Sequence, residues 1–223
     1  MRVTWHAAGP PLRDDHQRLA EQIWAKKPDH IFNGELLVHH KTDVSDPVIE
    51  LSGYFTEYRF YYAQKQSGHS FGLTPLAVSG LIICEDHLML ARRASHMTSY
   101  PGMLELVPSG GLDRACALEN GTVDFRQKLR EEFAEETRQP ANAILSVEPF
   151  ALIHDLADPA LDIACRLTLS IGREQLVESL AQSEEYDDPV AVPLADLQNW
   201  LTNNEDELIP TSRAILTGIG YAP

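Results

Sequence analysis

The sequence predicts an α/β protein, a larger domain built on a mixed sheet preceded by a small α+β domain or extension. Three observations carry that expectation. Apolar runs of strand length recur from Leu76 to Ser170. Phe125, Leu129 and Phe133 repeat at i, i+4 and i+8, the spacing of one buried helix face. A polar break, Gln66-Ser67-Gly68-His69-Ser70, divides the N-terminal third of the chain from the remainder. Residues 1–70 are therefore assigned to the small N-terminal part and 71–223 to the larger domain, a division that 223 residues accommodate.

Taken in order, residues 1–13 hold Gly9-Pro10-Pro11 and are expected to cross the surface without regular structure. His16 to Lys27 carries Leu19, Ile23 and Trp24 on one side, an amphipathic helix that stops before Pro28. After the turn signal Asn33-Gly34, strands are expected at Leu36–His40 and Val48–Leu51, joined through Asp43 to Pro47. Next, Gly53 to Tyr62 contains six tyrosines and phenylalanines in ten residues. A helix from Thr56, as N-cap, to about Gln66 is the reading adopted. Its rings either form the face by which the small N-terminal domain packs on the larger one or, through Tyr58 with Arg59 nearby, stack a nucleobase.

Leu76–Cys84 and His87–Arg92 read as a hairpin across Glu85-Asp86, the first strand apolar almost throughout as if covered on both faces. Arg92 and Arg93 close the second strand, either as an exposed end or as forked donors for phosphate. Leu104–Val107 is a short strand running into Pro108-Ser109-Gly110-Gly111, where glycine lets the backbone approach a ligand or another element. The helix Phe125–Arg138 comes next, with Thr122 or Asp124 as cap and Pro140 beyond its end. Ile144–His154 and Leu161–Ser170 form an antiparallel pair. Helix Arg173–Gln182, an acidic loop Ser183–Asp188, strand Val190–Val192, a helix opening at Pro193 and another over Pro210–Gly218 complete the chain.

Composition narrows the function. A hydrophobic fraction of 43% and a charged fraction of 23% describe an ordinary globular protein. The net charge of −15 argues against nucleic acid and anionic membranes as partners. Cys84, Cys116 and Cys165 lack metal-ligand spacing, and Cys84 and Cys165 lie in apolar runs, so buried thiols are expected. The nine histidines contain no His-Glu-x-x-His, which speaks against zinc. With no apolar leader and no apolar run of about 18 residues, the cytoplasm is the expected location.

Chemistry concentrates in the helix Phe125–Arg138. At about 100° per residue, Glu132 and Glu136 share the bearing of Phe125 and Leu129, and Glu135 lies at its margin. These carboxylates point where a core should be. The plain alternative is a solvated acidic helix with i, i+4 partners. Crowded, desolvated carboxylates repel one another unless a cation joins them, and a hard divalent ion that accepts oxygen ligands is the simplest candidate.

Gly110-Gly111, a loop, then a helix bearing Glu132, Phe133, Glu135 and Glu136 resembles the Nudix box, G-x5-E-x7-R-E-U-x-E-E-x-G-U with U apolar. Glu131 stands at the box arginine and Arg138 at its last glycine, and 21 positions separate Gly111 from Glu132 where the general box has 15. Ile31-Phe32-Asn33-Gly34 and Phe55 to Phe60 further resemble the branch that hydrolyses UDP-glucose and UDP-galactose. The resemblance implies a Nudix-type α/β/α sandwich and a magnesium- or manganese-dependent hydrolase splitting a nucleoside diphosphate linked to another moiety, a UDP-sugar first. It implies Glu132, Glu135 and Glu136 as metal ligands and Glu185, with Glu184 as rival, or Glu135 as base. Tyr58, Arg59, Arg92, Arg93, Gly110 and Gly111 would contact substrate. ADP-ribose or another dinucleotide is the alternative substrate, and a non-catalytic nucleotide-binding module the alternative class, favoured by Glu131 in the arginine's place.

Overall fold

The computed structural model describes residues 1–6, 9–29, 31–68, 70–156 and 158–218; Ala7 and Ala8 of the leading segment and His69 of the polar break lie outside them. The chain is α/β and forms two compact units. The first comprises Met1–Ala77, Gly111–Phe125 and Leu156–Leu161; the second comprises Val78–Gly110, Arg126–Asp155 and Asp162–Pro223.

In the first unit, β1 (Arg2–His6) runs parallel to β3 (Val48–Glu57), and β3 pairs antiparallel with β2 (Glu35–Ser45), giving a mixed sheet in the order β1-β3-β2. The leading residues are therefore a strand, contrary to the surface path expected. Val3 of this strand is 1% exposed, and five residues alone are too short to announce a strand whose partner lies almost fifty residues away. Thr56 remains in β3, so α2 (Tyr58–Ser67) starts later than expected, and Glu57 precedes it without a side-chain cap. The first helix, α1 (Asp14–Trp24), contacts α2, and Ala20, Ala63, Leu36, Val38 and Phe71 share a buried cluster. Buried Gln64 donates to Leu73 O at 2.8 Å and accepts from the backbone N–H groups of Phe71 and Leu73 at 2.8 and 3.1 Å. Partners for both the nitrogen and the oxygen are what a buried amide requires.

The second unit is built on β10 (Tyr186–Pro193), β5 (His87–Arg93), β4 (Leu76–Cys84), β9 (Ala160–Leu169) and β8 (Ile144–Asp155), adjacent in that order. Here β6 (Leu104–Leu106) is added to β5, and β7 (Ser109–Gly111) to β4. Glu85 and Asp86, both at positive φ, turn β4 into β5. Leu88, Leu90, Leu104 and Leu106 pack with Leu197 and Leu201 of α5 (Leu197–Asn204) and Ile215 of α6 (Pro210–Gly218). Tyr186 opens β10 opposite Arg93 and is 3% exposed, so the strand begins inside the run expected to be an acidic loop. The remaining helices are α3 (Phe125–Thr137) and α4 (Arg173–Leu180). Among the described residues no helix is long and apolar enough to cross a membrane.

α3 ends at Thr137, and Arg138 comes after it at φ 56°. A helix often closes through one left-handed residue, usually glycine, because a Cβ is strained there. Arg138→Gly is therefore expected to raise stability by about 1 kcal/mol, since the arginine's ion pair with exposed Glu184 at 3.6 Å is a weak one. Urea unfolding of the two proteins checks this; a less stable glycine variant would refute it.

Candidate functional site

Sheet register assembles the site. Glu105 stands opposite Ala91, and Tyr186 opposite Arg93. Cross-strand partners share a face and alternate residues return to it, so Arg93, Glu105 and Tyr186 come together. Arg92, one position away, takes the other face. Its guanidinium donates to Gly102 O at 2.8 Å and to Glu207 at 2.7 Å. The two arginines, treated alike from sequence, thus have separate surroundings.

Glu105 is 5% exposed and accepts from Arg93, from Ser109 Oγ at 2.8 Å and from Tyr186 Oη at 3.4 Å. Arg93 also donates Nε–H to Ser99 O at 2.9 Å. Burial works against the arginine's charge, but Glu105 outweighs it and holds the guanidinium protonated. The backbone of the same serine turns to the helix: Ser109 N–H donates to Glu136 Oε1 at 3.2 Å.

Glu136 is 1% exposed, and its Oε2 is buried with no hydrogen-bond partner. Burial, then the nearby charge of Glu105, pushes its carboxyl well above the usual range, with Glu132 and Glu185 adding to the effect. One turn earlier, Glu132 accepts an ion pair from Lys128 at 2.7 Å. Gly110 lies so close that a Cβ there would overlap the Glu132 carboxylate, whereas one on Gly111 would meet nothing within 4 Å. Only the first glycine of the pair is required by a close approach. Burial raises Glu132 as well, against the pull of Lys128.

Glu135 is exposed at the margin, near enough to raise Glu132 and Glu185 by its charge. Glu185 is placed by β10: its backbone O accepts from Ala94 N–H at 2.8 Å. Burial raises its carboxyl, Arg93 opposes, and Glu105 and Glu135 add repulsion. Its rival Glu184 is a side chain 90% exposed. Glu131, at the box arginine's position, accepts from Gln127 at 3.0 Å on an exposed face. Of the neighbouring arginines, Arg126 donates to Val147 O at 3.3 Å, and Arg130 to Ile144 O and Ala141 O.

Tyr58 and Arg59 belong to the first unit. Tyr58 sits among Trp24, Tyr61 and Tyr62, and Arg59 pairs with Glu57 at 2.8 Å while its Cζ lies 4.7 Å from the Phe60 ring centre. Sequence reasoning missed Glu105, Lys128, Ser109 and Tyr186. Glu105 had a signal, a lone charge in Leu104-Glu105-Leu106, and Lys128 stands four residues before Glu132 on the same helix.

Five carboxylates, three from α3, one from β6 and Glu185 just before β10, thus feel one another, with Glu105 and Glu136 buried, Glu132 and Glu185 partly so and Glu135 at the exposed edge. An oxygen set of this kind, with an orphaned buried carboxylate oxygen, suits a hard divalent cation. As they stand, no three His, Cys, Asp or Glu side chains among the described residues are gathered closely enough to hold a metal ion.

No family model matches the chain, and no curated protein matches it. Solved structures similar to it include a bifunctional NMN adenylyltransferase/ADP ribose pyrophosphatase from Francisella tularensis complexed with AMP and a manganese ion, at 16% identity and TM-score 0.47. That match covers 73% of this chain and 45% of the other. A NUDIX hydrolase from Nitrosomonas europaea matches at 12% identity and TM-score 0.44, over 66% of this chain and 88% of that one. A MutT NUDIX hydrolase from Burkholderia pseudomallei matches at 15% and 0.45, over 65% and 96%.

Proposed function

We propose that the chain is a Nudix-type hydrolase that cleaves the diphosphate of a nucleoside diphosphate linked to another moiety, a UDP-sugar or ADP-ribose. The observation that carries this reading is Glu136, fully buried with one oxygen unpartnered, beside Glu132 and the Ser109-Gly110 backbone. A carboxylate in that position is destabilised unless it receives positive charge.

Glu132, Glu135 and Glu136 would hold magnesium or manganese. When bound, such an ion neutralises the diphosphate and lowers the pKa of water. Glu185 is the base: raised by burial, it accepts a proton more readily than an ordinary carboxylate while water's oxygen attacks phosphorus. The bond from that phosphorus to the bridging oxygen breaks, leaving a nucleoside monophosphate and a phosphorylated second moiety. Ser109 N–H fixes the orientation of Glu136, and Gly110 leaves room for Glu132. Arg93 supplies compensating charge from the sheet.

A second reading, a nucleotide-binding module without turnover, is favoured by Glu131 where the resembled motif has arginine. Incubation with UDP-sugars, ADP-ribose, NADH and coenzyme A, with magnesium or manganese, separates the readings by product. A phosphorylated pair of products from one substrate supports hydrolysis. Thermal stabilisation by a nucleotide with no product under either metal supports the binding module instead.

A further inference from the structure

Lys128 and Glu132 form an i, i+4 pair at 2.7 Å with side chains only 13% and 12% exposed. Lysine preceding glutamate is the less favourable order along a helix, and such a pair on a solvated surface contributes only a few tenths of a kcal/mol. Here burial removes most of the screening water, so the ammonium attracts its partner more strongly. The pair lies inside the acidic cluster, one turn from Glu136 with its buried, unpartnered Oε2. Gly110 closes against the same Glu132 carboxylate from the loop. An ammonium therefore already occupies a carboxylate that an incoming ion would need.

We propose that Lys128 is a tethered cation that holds Glu132 in the place of a divalent metal and competes with it, so that metal loading requires the lysine to release Glu132. The proposal rests on the reading of this cluster as a metal site. Glu132 is held by the helix's own positive charge. Lys128 thus has a positioning role. The residue keeps the cluster neutral enough to fold without metal and sets the metal concentration at which the site fills.

The test is calorimetric titration of manganese chloride into metal-free wild-type protein, Lys128→Met and Lys128→Arg, with melting curves in EDTA to establish that each is folded. Removing a competing charge is expected to tighten manganese binding about tenfold or more in Lys128→Met, while Lys128→Arg stays within about threefold of wild type. A purely structural lysine would give weaker or equal binding in Lys128→Met, and that result overturns the proposal. Lys128→Gln, which keeps a polar side chain, provides the same reading should the methionine variant not fold. If wild type and variants all bind no manganese, this proposal falls together with the metal site. Parallel assays against the substrate panel separate the two ideas. Tighter binding without any hydrolysis sinks the hydrolase reading alone, and hydrolysis with no tightening sinks the role of Lys128 alone.

Discussion

Glu136→Gln is expected to lower metal-dependent turnover by about 10²- to 10³-fold while leaving the fold intact. Glutamine keeps the shape and can still accept from Ser109 N–H, but it removes the charge that a cation would grip. Loss of a buried, repelled carboxylate also means that the metal-free variant should melt no lower than wild type above neutral pH. The reason is that burial and Glu105 push the native carboxyl well above its ordinary range. Steady-state kinetics with the preferred diphosphate, together with melting in EDTA, reads both effects. Undiminished metal-dependent turnover would remove Glu136 from the site.

The second large effect concerns Asp162 on β9, 8% exposed, with Oδ1 buried and unpartnered. Burial raises its pKa from 3.8 to about 7; a Ser79 hydrogen bond opposes this, and the charges of Glu105 and Asp155 add to it. The folded protein therefore keeps a proton that the unfolded chain has released above about pH 4. Stability from this group is greatest below pH 4, falls as pH rises towards 7, and levels off above that. A rise from 3.8 to about 7 corresponds to on the order of 4 kcal/mol. Asp162→Asn should accordingly flatten the decline, matching wild type below about pH 4 and exceeding it by a few kcal/mol at pH 8. Urea unfolding of both proteins at pH 5, 6, 7 and 8 in EDTA measures the slopes. Identical slopes would show that the carboxyl is ordinary in the folded protein.

Much of the fold was legible in the chain because its signals are local. Phe125, Leu129 and Phe133 announce α3, and all three are buried. The apolar runs at 76–84 and 144–154 became β4 and β8. Errors arose where a partner distant in sequence decides the outcome. Arg2–His6 becomes a strand because β3 offers it an edge, and Phe55 to Glu57 stay extended because β2 pairs with them. Tyr186 likewise enters β10 because Arg93 lies opposite, not because its acidic neighbours favour a strand.

The candidate site divides along the same line. Helical periodicity alone brings Glu132 and Glu136 to one inward bearing, since 3.6 residues per turn is a property of the backbone and not of its surroundings. By itself the sequence could also say that so acidic a chain needs local positive charge to hold an anionic substrate. It could not say where that charge comes from. Arg93 and Arg92 are adjacent in sequence, yet strand alternation sends one to Glu105 and the other to Glu207. Glu105 joins the cluster through pairing of β6 with β5, and Lys128 binds Glu132 because the surrounding packing excludes water from both. Local spacing sets which way a side chain faces; only the tertiary structure sets what it faces and how much water remains between them, and those two quantities govern the strength of every charge in the site.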